Sequence, residues 1–384
     1  MIKRYSRILL TLTLILSLSI TTSFAGITNS NWIYKAGTTT KANIRSIAKQ
    51  KATGYNVLQG SCNDGNGNFY FAFMKKSTER VKIVKMRFED GKFTYCNSTL
   101  LENFYHGNDL TYIPNVGDIA GNDKILITNN DDGTRTNHIV VFDVATMKVE
   151  DEITSKYWKQ CSNCKLYIKG KLIEPVEPTI SEDISSDSEE ENDDEDCVCL
   201  EDYVCEHHGF SNLAYNNENG KLVASLCSCH DLMIFNLKYS NGHLSLVPEA
   251  YLVQNRKESV IQGIDCDSKY IYMTWSAGNG ISGNRLCVYN WVGKNIKNYT
   301  IDSSYEIESI SHSTIDNSTA FYAGYHHSYV YKWVEKEKKK YKWKKVWNKA
   351  HTKKVWKYKT KTIKTNHSEV RRNAYIKKLC VSIP

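Results

Sequence analysis

The sequence predicts an all-β chain folded as a β-propeller, most simply five blades of four strands each. Three observations predict it. A polar-then-small pair recurs five times, at Gln59-Gly60, His106-Gly107, His208-Gly209, Gln262-Gly263 and Glu308-Ser309. Each pair precedes a turn and an apolar run: FYFAF (69–73), KILIT (124–128), KLVASL (221–226), YIYMTW (270–275) and AFYAGY (320–325). Each run is followed by a second: VKIVKM (81–86), IVVFD (139–143), LMIFNL (232–237), RLCVYNW (285–291) and YVYKW (329–333). These runs are rich in β-branched and aromatic residues and bounded by turn residues, which is strand chemistry. Recurrence of one such unit, four strands at a time, is the habit of propeller blades. A β-sandwich whose strands look alike by chance is the alternative, and it gives no reason for the recurring pair.

The first four units add a polar turn and a weaker strand: KFTYC (92–96), KVEDEI (148–153), HLSLV (243–247) and NIKNYTI (295–301). In the last of these Tyr299 and Ile301 share a face, while Ile296 is out of step. A strand at the opening pair makes the fourth. The unit starts lie 47, 102, 54 and 46 residues apart, and the long interval holds an insertion at 154–207.

Ahead of the units, MIKRYSR is basic and ILLTLTLILSLSI (8–20) is apolar, with Ser23 and Ala25 behind it. That order predicts a secretory signal peptide over 1–25 and a secreted, extracellular or envelope-associated mature chain. The apolar core of 13 residues is too short for a comfortable transmembrane span, and no other stretch is apolar enough. TKANIRSIAKQKA (40–52) reads equally as a short helix or a closing strand. NNDDGTRTN (129–137) is an acidic loop that admits calcium, but it lacks the alternating oxygen-ligand spacing and reads better as a turn.

The insertion carries fifteen Asp and Glu and no Lys or Arg between Ile173 and His207. SEDISSDSEEENDDED (181–196) cannot build a core and is expected to be solvated and disordered. Cys161, Cys164, Cys197, Cys199 and Cys205 flank it, with Cys227, Cys229 and His230 close behind. Disulfides are the default for twelve cysteines in an exported chain. The CSNC spacing keeps a structural zinc site as the alternative.

After the fifth unit the composition turns basic. Residues 334–384 hold sixteen Lys and two Arg against three Glu. In VWKYKTKTIK (355–364), Trp356 and Tyr358 alternate with Lys357, Lys359 and Lys361, so the stretch reads as a β-ribbon with one lysine face. YKWKKVW (341–347) is either its partner or an outer strand of the fifth unit. Lysines beside Trp and Tyr suit a polyanion: a cell-wall phosphate polymer or acidic glycan in a secreted protein, and nucleic acid less readily. Pairing of this tail with the acidic insertion is the competing explanation, and a protein partner stays open.

No nucleophile elbow, phosphate loop or HExxH motif is present. The candidate ligand site is the channel ring of Gln59, His106, His208, Gln262 and Glu308. The same ring, with Asp109 or Glu308 as acid–base partner, would serve a hydrolase or lyase, the alternative to a binding protein. No resident cofactor is expected.

QGIDCDSKYIYMTW (262–275), HGNDLTYIPN (106–115) with KILIT, and the IVVFD and LCVYNW strands resemble the repeats of secreted bacterial β-propeller proteins. The resemblance spans most of 55–333 and omits the insertion and the tail. It implies the fold and leaves the ligand open. The signal peptide and Lys-rich tail resemble those of envelope proteins from low-GC Gram-positive bacteria.

Overall fold

A computed structural model describes residues 33–48, 54–129, 138–154, 165–173, 210–226, 231–254, 260–276, 284–301, 305–315 and 318–381. The signal peptide, the 130–137 loop, residues 181–196, His208-Gly209 and the cysteines from Cys161 to Cys229 lie outside these.

Period-two patterning makes the ladders. In RVKIVKMRFE, Val81 and Ile83 bury one face and Val84, Met86 and Phe88 the other, with Lys82 and Lys85 half-buried between them. This is β4 (Arg80–Glu89). It stands in a four-stranded antiparallel sheet with β2 (Val57–Asn63), β3 (Asn68–Met74) and β5 (Lys92–Tyr105). A second four-stranded sheet holds β6 (Leu110–Ile113), β7 (Lys124–Asn129), β8 (His138–Asp143) and β9 (Lys148–Thr154). The third contains β12 (Phe210–Asn216), β13 (Lys221–Leu226), β14 (Leu232–Ser240) and β15 (His243–Val253). It is extended by two strands from the insertion, β10 (Lys165–Ile168) and β11 (Lys171–Ile173), with β10 parallel to β15. Residues 165–173 therefore belong to a sheet, where the sequence pointed to a loop outside the repeats. Leu166 is the reason: it is buried in the apolar cluster between the second and third sheets.

The last sheet has eight strands and takes in both ends of the described chain. It starts with β16 (Val260–Cys266), β17 (Tyr270–Ser276), β18 (Arg285–Asn290) and β19 (Asn295–Ile301). In β19, Tyr299 and Ile301 are buried and Ile296 is exposed, which resolves the broken pattern read from sequence. The sheet continues through β1 (Ile33–Asn43), β22 (Lys354–Cys380), β21 (Ser318–Trp347) and β20 (Glu306–Ile315). The first residues of β1 run parallel to β19, and Gly37–Asn43 pair antiparallel with Tyr375–Cys380 of β22. A five-residue helix, Ile44–Ala48, follows β1, so 40–52 supplies both a strand and a helix.

The fifth unit departs from the expected pattern. AFYAGY and YVYKW are not two strands but parts of the single strand β21, which runs from Ser318 to Trp347. His326, His327 and Ser328 offer no glycine or asparagine to turn the chain back. The missing outer strands of this unit come instead from the chain ends, through β22 and β1.

The first strands of the five groups lie side by side in a cycle: β2 against β6, β6 against β12, β12 against β16, β16 against β20, and β20 against β2. Apolar clusters fill the spaces between consecutive groups. Phe71 with Tyr322, Ile83 with Ile127, Leu126 with Leu213, Ala214 with Ile271, and Val288 with Ile310 mark the five. The arrangement is all-β and propeller-like. By its contacts the chain divides into two compact units: residues to His326 with Ala374–Pro384, and His327–Asn373. The second unit is a two-stranded ribbon formed by the far halves of β21 and β22, turned at Asn348–Lys353, where Asn348 N donates to Lys353 O.

Candidate functional site: the channel and the ribbon

The opening pairs mark places where the inner strands bulge. The register slips between Leu58 and Gly60, Ile261 and Gly263, and Ile307 and Ser309, leaving Gln59, Gln262 and Glu308 as the extra residues. The small partner permits close approach. A Cβ on Gly60 would stand 2.7 Å from Asp109 Cα, and one on Gly263 would stand 2.6 Å from Ser309 Cα. In the third group the slip falls at Ser211, between Phe210 and Asn212. In the second, β6 begins at Leu110, and Asp109 precedes it. The sequence points to Asp109 only as an acid–base partner and gives no sign of Asn212, because neither is the polar member of a polar-then-small pair.

Of the predicted ring, Gln59, His106, Gln262 and Glu308 lie among the described residues. Gln262 Nε2 donates to Glu306 Oε1 at 3.1 Å. Burial pushes the Glu308 carboxyl well above the usual range, and the neighbouring Glu306 adds to this. Burial also raises Glu306. Gln59 is buried and donates to its neighbour Leu58 O at 3.0 Å. His106 stands before β6 with φ 66° and faces Glu79, 3.8 Å away, with 37% of its side chain exposed. Burial lowers its pKa against the pull of Glu79. His208 lies outside the described residues.

At the centre, Asp109 is fully buried. Its carboxylate accepts from Leu110 N at 3.0 Å and from Ile264 N at 3.1 Å, tying β6 to β16. Ser61 and Ser309 hydroxyls meet at 2.6 Å across β2 and β20. Asp109 thus ties two inner strands together, and burial pushes its carboxyl well above the usual range.

Beyond this layer the inner strands open into a cavity of about 150 Å³, with residues from all five: Asn63, Thr111, Tyr215, Asp265 and His312 among them. His312 Nδ1 stands 2.7 Å from Asp265 Oδ2, and Asn63 Nδ2 donates to His312 O at 2.7 Å. The Asp265 carboxylate beside it raises the His312 pKa to about 9, against the effect of burial. The imidazole is therefore protonated at neutral pH. Ser311 and Ser313 also belong to the cavity wall, and their hydroxyl oxygens are buried with no hydrogen-bond partner among the described residues.

The ribbon has a different chemistry. Residues 327–373 hold fifteen Lys and two Arg against three Glu. Lys359 Nζ lies 3.7 Å over the Trp343 ring, and Arg371 lies 3.6 Å over Tyr331. Trp333 stacks on His367 at 5.2 Å. Lys359 on the Trp343 side places the row Lys357, Lys359 and Lys361 on one face with the aromatic residues of β21. By alternation Trp356 and Tyr358 fall on the other face, but lysine stems reach across: Lys344 lies 4.4 Å over the Trp343 ring and Lys345 lies 5.3 Å over the Trp356 ring. Lys342 lies over the Trp356 ring, 5.6 Å from its centre. Both faces therefore mix lysine and aromatic residues, where the period-two pattern of β22 alone indicated one lysine face. Trp343, Trp347, Trp356 and Tyr358 are all exposed.

Among the described residues no group of three His, Cys, Asp or Glu side chains could hold a metal ion. Cys161, Cys164, Cys197, Cys199 and Cys205, the candidate zinc or disulfide set, lie outside them. Of the other cysteines, Cys62 and Cys266 are buried free thiols, and Cys96 and Cys380 are exposed ones. Among the described residues no helix is long and apolar enough to cross a membrane.

No family model matches the sequence, and no curated protein matches it. Among solved structures, the tail fibre of Staphylococcus aureus phage P68 aligns at 10% identity and TM-score 0.42, covering 85% of this chain. The chain spans half, 50%, of that fibre's length. Regucalcin of Agrobacterium tumefaciens, a calcium-binding protein, aligns at 12% identity and TM-score 0.36, covering 76% of this chain and 86% of its own. The Swd1 β-propeller domain of Myceliophteria thermophila aligns at 8% identity and TM-score 0.32, covering 66% and 63%. Similarity at this level carries no functional argument.

Proposed function

We propose that this chain is a secreted, envelope-associated binding protein, a five-bladed propeller whose basic ribbon adheres to anionic wall polymer or glycan. The ribbon carries the reading. Its charge is +14 over residues 327–373, and lysines stand beside exposed aromatic rings on both faces. Same-face residues of a strand repeat at roughly 6.6–7 Å, so Lys357, Lys359 and Lys361 form a row of charges suited to a repeating anionic chain. The aromatic rings add stacking surface for sugar faces. The cycle of inner strands and the five apolar clusters support the count of five blades. The basic and apolar start of the sequence supports export.

A hydrolase or lyase at the channel ring has less behind it. His106 is turned to Glu79, and Glu308 is buried. The test is to excise residues 328–372 and rejoin the strands with an Asn-Gly turn. The excised protein should stay folded by circular dichroism and lose retention on immobilised poly(glycerol phosphate) or heparin. Full retention by the folded, excised protein would refute the reading.

A further inference from the structure

Charge and aromatic residues are spread unevenly along the ribbon. Its three Glu and two Arg all fall in 327–337 or 369–373. Residues 338–364 hold thirteen of its fifteen Lys and no Asp or Glu. The same stretch carries Trp343, Trp347 and Trp356, which are 44%, 52% and 41% exposed. Among the described residues β20 pairs with β21 only as far as His326, and β1 pairs with β22 only from Tyr375 on. Residues 338–364 are therefore a two-stranded hairpin with both edges open.

An indole has an apolar body and one N–H, so it suits a boundary between an apolar phase and water. One exposed ring needs no explanation, but three on one short hairpin mark a contact surface. Each indole also has an ammonium beside it. Lys359 Nζ lies 3.7 Å and Lys344 Nζ 4.4 Å from the centre of the Trp343 ring, Lys354 Nζ 5.4 Å from that of Trp347, and Lys345 Nζ 5.3 Å from that of Trp356. A ring paired with a cation matches a lipid surface, where a headgroup layer of roughly 5–8 Å separates acyl chains from water. An anionic surface draws the lysines to its phosphates. Open strand edges and thirteen lysines bar the hairpin from the hydrocarbon itself, where unpaired backbone groups and charges are costly. A glycerol phosphate chain in solution matches the charge but offers the indoles no apolar phase.

We propose that residues 338–364 dock on the headgroup layer of an anionic phospholipid bilayer, with Trp343, Trp347 and Trp356 at the boundary between phosphates and acyl chains. This goes beyond the polymer reading and does not depend on it. Lysines meet phosphate in either case, and the indoles separate the two.

The test mixes full-length protein with vesicles of phosphatidylcholine alone, or of equal parts phosphatidylglycerol and phosphatidylcholine, and sediments them. Binding to the anionic vesicles should be tighter by roughly tenfold or more, as thirteen lysines facing an anionic surface require. Tryptophan emission should shift to the blue, and phosphatidylglycerol brominated on its acyl chains should quench it. Trp343→Ser, Trp347→Ser and Trp356→Ser together keep every charge. That triple variant should lose most of its vesicle binding and keep its unfolding temperature and its retention on poly(glycerol phosphate). No quenching of the native protein by brominated lipid overturns the inference, whatever the variant does. So does a triple variant that binds anionic vesicles undiminished, or one that loses polymer retention to the same degree, because the rings then serve the polymer. An equal blue shift on adding oligothymidylate in place of vesicles overturns it too, because the rings then stack on bases. Vesicle binding by a native protein that is not retained on poly(glycerol phosphate) would support this inference and count against the polymer reading.

Discussion

At single residues, close approach and burial hold the inner strands together. Gly60 and Gly263 lie where a Cβ would meet neighbouring backbone at 2.7 and 2.6 Å. Gly60→Ala and Gly263→Ala should each cost about 1–3 kcal/mol, the usual price of overpacking, read by urea denaturation. Unchanged midpoints would mean that the inner strands are not tightly apposed. Asp109→Ala should also destabilise, by about 1–3 kcal/mol or more, because Ile264 N–H loses its acceptor inside the fold. A third effect follows from His312, whose folded pKa is raised to about 9 from the model-peptide value of 6.5. A raised pKa contributes stability that is complete below about pH 6.5 and disappears as pH climbs through about 9. Stability should therefore fall between these limits in the native protein, and this part of the fall should vanish in His312→Gln. An imidazole resonance titrating near 6.5 would contradict it. The opening pairs were legible at Gln59, Gln262 and Glu308. The bridging role of Asp109 was not, because nothing in a sequence tells which carboxylate will meet an amide 155 residues away.

At the level of elements, the strand runs were legible wherever a turn residue punctuated them. Gly91, Gly220, Gly242 and Gly293 all take positive φ between strands. The fifth unit misled because one strand, β21, passes from the repeat into the ribbon without a break. Its outer partners are remote in sequence, and pairing of chain ends leaves no local pattern to read. The consequence is testable. Truncation after Asn373 removes Ala374, Ile376 and Leu379, which are buried. That truncation should lower the unfolding temperature sharply, whereas excision of 328–372 with an Asn-Gly turn should leave it nearly unchanged. Equal effects of the two deletions would mean that β22 does not complete the sheet. The basic tail is thus two things: a ribbon, and a closing strand that the composition of 334–384 merged into one segment.

For the whole molecule, charge separation was the plainest feature of the sequence, and its use is the open choice between an external polymer and the acidic insertion. The two make opposite demands on salt. A ribbon that engages a polyanion does so through exposed lysines, and screening at an ionic strength near 1 M shortens the reach of such charges to about 3 Å. A ribbon neutralised by residues 181–196 has little charge left for any polymer until those residues are deleted. The direct measurement is retention of the intact protein on immobilised poly(glycerol phosphate) over a salt gradient. Strong retention at low salt, lost steeply as salt rises with or without residues 181–196, is the expected result. Retention that is absent at low salt, or that does not change along the gradient, would contradict it.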